Sequence, residues 1–568
     1  MARPLDLVLL WHMHQPDYRD YATGEFTLPW VYLHAIKDYT DMAWQLENHP
    51  GVRAVVNFVP VLLDQIEDYC AQFARGELRD PLLRLLAHSD AEPLTEAERT
   101  LALERCFAAN HHKLIEPFPP YKRLHELYLS LKSPDREGFA YLSDQYLYDL
   151  LTWYHLSWTG ESVRRGSEVV ARLMSVGAGF SREDRLSLID TIADLMREVI
   201  PRYRRLAESG RIELSTTPQH HSLAPLLLDF RCAIDAEPGL KLPEAAGYAG
   251  GRARVTAQLD AALQGHTLRF GVPARGVWPA EGGLSPAFLS LLEAQGVAWT
   301  ASGEAVLANS LRRSGTLPPQ RGEYLYRPYR MPGAGLVSFF RDDRLSDLIG
   351  FEYSKWHGRD AAANFIGELE AIANAAPPGQ RPMVSVILDG ENAWEYYPYN
   401  GYYFLSDLYE SFEAHADIRT TTFSAWLDEN APGPSAPPAL RELATLVSGS
   451  WVYGNFSTWI GSPDKNHAWD LLCAAKASFD HVLGSGRLSA GQQADALRQL
   501  ADCESSDWFW WPGEYNPDEA VAVFERLFRA KLANLYRILG LPAPPRLSVP
   551  FSRGVGHPEA GGAMRRAN

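Results

Sequence analysis

The sequence predicts an α/β protein whose strands run parallel, in a sheet or barrel covered by helices. Three observations lead there. Seven short apolar runs recur: DLVLLWH (6–12), RAVVNF (53–58), RIELSTT (211–217), RGVWPAE (275–281), VAWTAS (297–302), LVSFF (336–340) and MVSVILDG (383–390). Their apolar character is continuous rather than alternating, as in strands buried on both faces. Helical patterns follow them, and 568 residues with 46% hydrophobic content can build one large domain and a smaller companion.

The first run continues as LVLLWHMHQP (7–16), breaking into two histidines one residue apart. Residues i and i+2 of a strand project to one face, so His12 and His14 point together beyond its end. Two readings stay open there: a pair of satisfied core histidines, or a pair serving a site.

The second run passes into NFVPVLLDQIEDY, and about 140 residues of helical pattern separate it from GRIELSTTP. SREDRLSLIDTIADLMREVIPRYRRLAESG is one such stretch. This is too long for a crossover, and a helical insertion over about 62–208 is expected.

The fourth and fifth runs belong to a βαβ unit. Ser285 reads as N-cap with Pro286 at the first helical position, the helix runs to about Gln295, Gly296 stops it, and a strand follows. Beyond the last run, the proline-rich Pro432–Pro438 marks a boundary. The expected parts are a catalytic domain over 1–435, a helical domain over 436–541 bordering the cleft, and a mobile Pro/Gly-rich tail over 542–568.

Composition narrows the function. Lys plus Arg number 54 against 70 Asp plus Glu, a balance of −16 that repels phosphate backbones, so no nucleic-acid partner is expected. Five scattered cysteines form no CxxC pair, which fits a reducing compartment and offers no zinc cluster. The N-terminal apolar run is too short for a signal segment and no stretch suits a membrane helix, so a cytoplasmic protein is expected. An aromatic share of 11% invites a sugar-binding reading.

Two strand ends carry carboxylates. Glu281 sits in GVWPAEGG, where the two glycines let the backbone turn sharply, and Asp389 ends the most apolar run, before Gly390. Barrel enzymes collect catalytic residues at the carboxyl ends of strands. Glycosidic cleavage needs one carboxylate at the anomeric carbon and another, kept protonated, at the leaving oxygen. Helix-capping or ion-paired carboxylates at a barrel rim are the alternative.

HMHQP, GRIELSTTP, GVWPAEGG, VILDGENAWEYY and SWVYGNFSTWIG occur in the order of the five motifs of family-57 glycoside hydrolases, and the chain resembles the amylase and amylopullulanase branch from residue 7 to about 540. The resemblance implies a distorted (β/α)7 barrel followed by a helical domain, and a retaining mechanism on α-glucans without metal or other cofactor. By motif, Glu281 would be the nucleophile and Asp389 the general acid/base. His12 and His14 would donate hydrogen bonds to sugar hydroxyls beside the scissile bond, and Glu213 and His221 of the second motif would join the substrate site. Trp278, Trp394, Trp459, Trp508 and Trp510 are candidate sugar walls, although tryptophans are more often core. In SDWFWW, Trp508 and Trp510 share a face if extended, and at least one of them is expected at a subsite wall, with core the expected place of the other tryptophans, Trp511 among them. Asp342 and Asp507 would reach substrate from loops.

Two departures from the branch, Gly303 in TASGE and the absence of proline directly after the histidines in HHSLAP, leave subsite identity open. Hydrolysis of α-1,4 bonds, with α-1,6 as an addition, is the first reading. 4-α-Glucanotransferase or branching activity uses the same pair. A metal-dependent polysaccharide deacetylase would take HxH as ligands, but no compact cluster follows WHMHQPDYRD. A non-catalytic glycan-binding protein is the remaining alternative.

Overall fold

The computed structural model describes residues 3–132, 137–430, 440–557 and 563–566. Its strands are β1 (Leu5–Met13), β2 (Ala54–Phe58), β3 (Ile212–Thr216), β4 (Gly276–Val277), β5 (Trp299–Gly303), β6 (Tyr329–Arg330), β7 (Val337–Arg341), β8 (Met383–Asp389), β9 (Ile418–Thr420) and β10 (Arg441–Glu442). They form one sheet in the order β10-β6-β7-β5-β4-β3-β2-β1-β8, with β9 on β1. Among the described strands only the β6–β7 pairing is antiparallel. The seven predicted runs are β1 to β5, β7 and β8. The other three strands hold two or three residues each and do not lie in an apolar run.

Seven parallel strands wrap into a barrel whose seam lies between β7 and β8, and the seam has no ladder. Instead the Asp342 amide donates to Ser385 O at 2.7 Å and Arg341 Nε donates to Ile387 O at 2.8 Å. That irregular closure is the distortion of the barrel.

Continuous apolar strands result because both faces are dry. On β1, Leu7, Leu9, Trp11 and Met13 face the surrounding helices, while Val8 and Leu10 point inward. Inside they meet Val55, Trp278, Trp299, Phe339 and Ile387, with Phe423 and Trp426 closing the bottom. His12 continues the inward series at the top. In register it stands beside Asn57 of β2 on one side and Asp389 of β8 on the other. The interior is tight at β4, where a Cβ on Gly276 would sit 1.8 Å from the Trp299 ring. Gly276→Ala is therefore expected to lower stability by about 1–3 kcal/mol, read as a fall in Tm. An unchanged Tm would refute the packing described.

Helices from Pro60–Arg75 to Arg182–Glu208 fill the interval between β2 and β3, with no strand among the described residues. Ser181 begins the last of them through a reciprocal capping box with Asp184. The βαβ unit has Ser285 accepting from the Phe288 amide and a helix over Pro286–Ala294. After the barrel come the helices Pro463–Gly484, Ala490–Cys503 and Asp518–Ile538. The proline-rich boundary falls in 431–439, outside the described residues. β10, just beyond it, still pairs with the sheet edge. Among the described residues, no helix is long and apolar enough to cross a membrane.

Candidate active site

At the carboxyl end of the barrel a cavity of about 390 Å³ opens, and both Glu281 and Asp389 line it. His12, His14, His221 and Asp507 share its walls with Arg341, Glu391, Trp451 and Trp510. Asp389 ends β8 and accepts from Asn392 Nδ2 at 2.9 Å. Glu281 follows β4 with φ 59°, ψ 23°, a left-handed conformation unfavourable for a residue with a side chain. Gly282 is also left-handed but Gly283 is not, so the sharp turn falls on the glutamate itself and on one of its two glycines.

The segment after the barrel holds Glu281 in place. The Trp451 amide donates to Glu281 O at 3.1 Å, its indole Nε1 donates to Oε2 at 3.3 Å, and the Ser506 hydroxyl donates to Oε1 at 2.9 Å. Burial, then the negative charges of Asp507 and Asp389, push the Glu281 carboxyl up to about 8 against those donors. Burial raises Asp389 to about 6, opposed by Asn392, His14 and Arg341. Both acids thus keep a proton far above the ordinary carboxylate range. Two acids with raised affinity, facing one cavity, can share a proton near neutral pH and exchange it with a bound molecule.

The sequence pattern of glycosyl hydrolase family 57 matches residues 8–434. The chain belongs to this family. Its fold resembles that of a family-57 branching enzyme from Thermococcus kodakaraensis, at 15% identity and TM-score 0.56, covering 94% of this chain and 90% of the other. An α-amylase from Thermotoga maritima aligns at 13% identity and TM-score 0.54, with 95% and 97% covered. A 4-α-glucanotransferase from Thermococcus litoralis gives 13% and 0.50, with 94% and 60% covered.

In this family-57 chain the other candidate residues divide: some stay on the cavity wall with protein partners of their own, and others lie away from it. Both His12 nitrogens are taken, Nδ1 by Asn57 Oδ1 at 2.7 Å and Nε2 by His221 Nε2 at 3.1 Å, so none is left for a sugar hydroxyl. Burial, then His14, lowers its pKa to about 3, leaving it neutral. His14 Nε2 is 3.0 Å from Asp507 Oδ2, whereas its Nδ1 has no hydrogen-bond partner. Glu213 lies near the opposite end of β3, where it accepts from Trp299 Nε1 and from the Ser424 amide and hydroxyl. Asp342 caps the helix Asp343–Asp347 and pairs with Arg321.

The tryptophans divide in the same way. Trp278 is packed in the barrel interior, Trp394 donates to Gly390 O beneath the Asp389 turn, and Trp459 and Trp508 are core. Residues 507–510 are helical, not extended, so Trp508 and Trp510 diverge; Trp510 reaches the cavity, as does Trp511. The tail is not free along its described length. Ala563 and Met564 line the cavity, and the Arg565 guanidinium stacks 4.7 Å from the Trp510 ring and 4.1 Å from that of Tyr515. Residues 558–562 and 567–568 lie outside the described residues.

Among the described residues, two groups have metal-ligand types within reach. His14, His221 and Asp507 lie within 4.8 Å of one another, a cluster that the linear sequence concealed. The two imidazoles stack with centroids 3.7 Å apart and planes 21° apart, so their in-plane lone pairs lie in two nearly parallel planes rather than in one. Asp17, His220 and Asp502 form the second group, but Arg19 and Lys531 already neutralise its acids.

Sequence reasoning missed Trp451, Ser506, Asn57 and Glu391 as parts of the site. Trp451, Ser506 and Glu391 lie in stretches already singled out, SWVYGNFSTWIG, SSDWFWW and VILDGENAWEYY. Asn57, at the end of an apolar strand, was the available signal on β2. Glu391, fully buried, accepts from the His14 amide at 3.0 Å, and burial first, then Asp389, raises its pKa well above normal.

Proposed function

We propose that this family-57 chain is a retaining α-glucan-active enzyme that cleaves α-1,4 glucosidic bonds through a covalent glycosyl-enzyme intermediate. The observation that supports this most is the pair of buried, proton-retaining carboxyls on the wall of one cavity. Glu281 attacks the anomeric carbon while Asp389 gives its proton to the departing sugar oxygen. Asp389 then takes a proton from the water or sugar hydroxyl that displaces Glu281. Trp510, Trp511 and Trp451 supply flat apolar faces suited to pyranose rings.

Transfer to a second sugar is the competing fate of the intermediate. The apolar tail residues Ala563 and Met564, lining the same cavity, favour it by restricting water. Product analysis on maltoheptaose and pullulan tests both readings. Shorter maltooligosaccharides alone indicate hydrolysis, longer ones indicate transfer, and panose or maltotriose from pullulan indicates pullulan cleavage. A substrate left intact would refute the proposal. Activity that disappears on chelation and returns with a divalent metal would favour a metal-dependent reaction instead.

The acid pair also sets the pH dependence. Asp389 loses its proton at about 6 and Glu281 at about 8, and the working form carries one proton, on Asp389. Between those values the single proton rests mostly on Glu281, and the reactive form is the minor one in which it has passed to Asp389; below about 6 both acids are protonated and above about 8 neither is, so kcat/KM should be bell-shaped with its maximum between. A rate that climbs steadily through pH 9 would contradict this.

A further inference from the structure

We propose that Ser506 positions Glu281 and couples the charge of its carboxyl to the tautomers of His221 and His12, through a hydrogen-bonded chain ending on Asn57. The inference rests on the reading of Glu281 as nucleophile. Ser506 Oγ lies 2.9 Å from Glu281 Oε1 and 2.8 Å from His221 Nδ1. His221 Nε2 is 3.1 Å from His12 Nε2, and His12 Nδ1 is 2.7 Å from Asn57 Oδ1. Five side chains from four barrel strands or their following loops and from the segment after the barrel are thus joined end to end.

A hydroxyl has one proton, so Ser506 cannot donate to Glu281 and His221 at once. Two neutral imidazoles meeting through Nε2 likewise require one proton between them. These constraints leave two self-consistent polarities. With Glu281 protonated, each group donates away from it: Glu281 to Ser506, Ser506 to His221, His221 to His12, His12 to Asn57 Oδ1. With Glu281 ionised, Ser506 donates to the carboxylate, His221 Nδ1–H donates to Ser506, and His12 Nε2–H donates to His221. The Asn57 amide then presents its NH2 to His12, with Ser215 and Thr217 beside it to satisfy the exchanged ends.

Burial makes a mixed chain unfavourable. Ser506 and Asn57 are fully buried, and His12 and His221 nearly so, so no solvent satisfies a mismatched link. Burial, then the neighbouring histidines, keeps His221 neutral. The backbone supports the same joint. His221 and Glu281 both adopt left-handed φ, 55° and 59°, and the Ser506 amide clamps the first by donating to His221 O at 2.9 Å. The other charged groups facing the chain are Asp507 and Asp389 toward Glu281, His14 stacked on His221, and the Arg565 guanidinium within electrostatic reach of Glu281. Ser506 makes no side-chain cap on the helix that follows it, so its hydroxyl can be removed without unfolding that turn.

The test compares full-length wild type, Ser506→Ala and Ser506→Thr on maltoheptaose across pH 4–10, with Tm confirming the fold. Ser506→Ala should lower kcat about tenfold or more, leave KM within about twofold, and move the basic limb of the kcat/KM profile, which Glu281 sets at about 8, up by about one pH unit. Ser506→Thr, which keeps the hydroxyl, should restore most of both. A basic limb that stays in place, a loss confined to KM, or a folded threonine variant as impaired as alanine would overturn the coupling. Glu281→Gln separates the two failures. If it is inactive while Ser506→Ala keeps the wild-type profile, only the coupling falls; if it is active, the nucleophile assignment falls with it.

Discussion

Glu281→Gln should reduce turnover of maltoheptaose by on the order of 10⁴ or more while the protein stays folded, because an amide cannot form the glycosyl ester. The substitution is nearly isosteric; Ser506 and Trp451 donate to different carboxylate oxygens, so the amide keeps an acceptor for one of them and presents its NH2 to the other. Stability should move the other way from activity. The folded-state pKa of Glu281, about 8, lies above the ordinary glutamate value, so its contribution is complete below that ordinary value and is lost as pH rises through about 8. Removing the group removes that loss, and the Tm of Glu281→Gln should fall less than wild type between pH 5 and pH 9. Residual activity above a few per cent, measured by reducing-end release, would end the assignment.

Asp389→Asn should lower kcat by about 10²–10⁴ on natural glucans, whose leaving oxygen needs a proton. The leaving group discriminates this role from a structural one. An aryl maltooligosaccharide with an acidic phenol departs without help, so the variant should release a rapid burst of phenol, followed by slow turnover when water must be activated. Stopped-flow absorbance checks this. Equal loss on both substrates with no burst would mean that Asp389 shapes the cavity without moving a proton. The Asn392 amide and the in-register neighbour His12 remain in either case, so the β8 end should keep its geometry.

Much of the barrel was legible because strand burial on both faces writes itself into consecutive residues. Runs such as LVLLW and MVSVIL need no partner information to be recognised, and the alternation that sends Val8, Leu10 and His12 inward follows from the two-residue period of a strand. Strand β6, of two residues, leaves no such trace. The tryptophans were illegible for a different reason: Trp510 on a cavity wall and Trp508 in the core are chemically identical choices two residues apart. Their difference depends on residues 507–510 being helical, which tertiary packing imposes. Glu213 misled because an acid on a barrel strand reads alike at either end, and only the register of β3 shows it near the start of the strand, holding Ser424.

By itself, then, the sequence determined the α/β class, the seven main strands, and the location of acids 281 and 389 at two strand ends, since each is a property of local pattern. Tertiary structure alone decided that His14 would meet Asp507, 493 positions away, and that Ser506 would meet Glu281, 225 positions away. Contacts at such separations carry no local propensity. They exist because the barrel closes around a dry interior and the helices after it fold back over the open end, bringing polar groups into a space where each must find a partner.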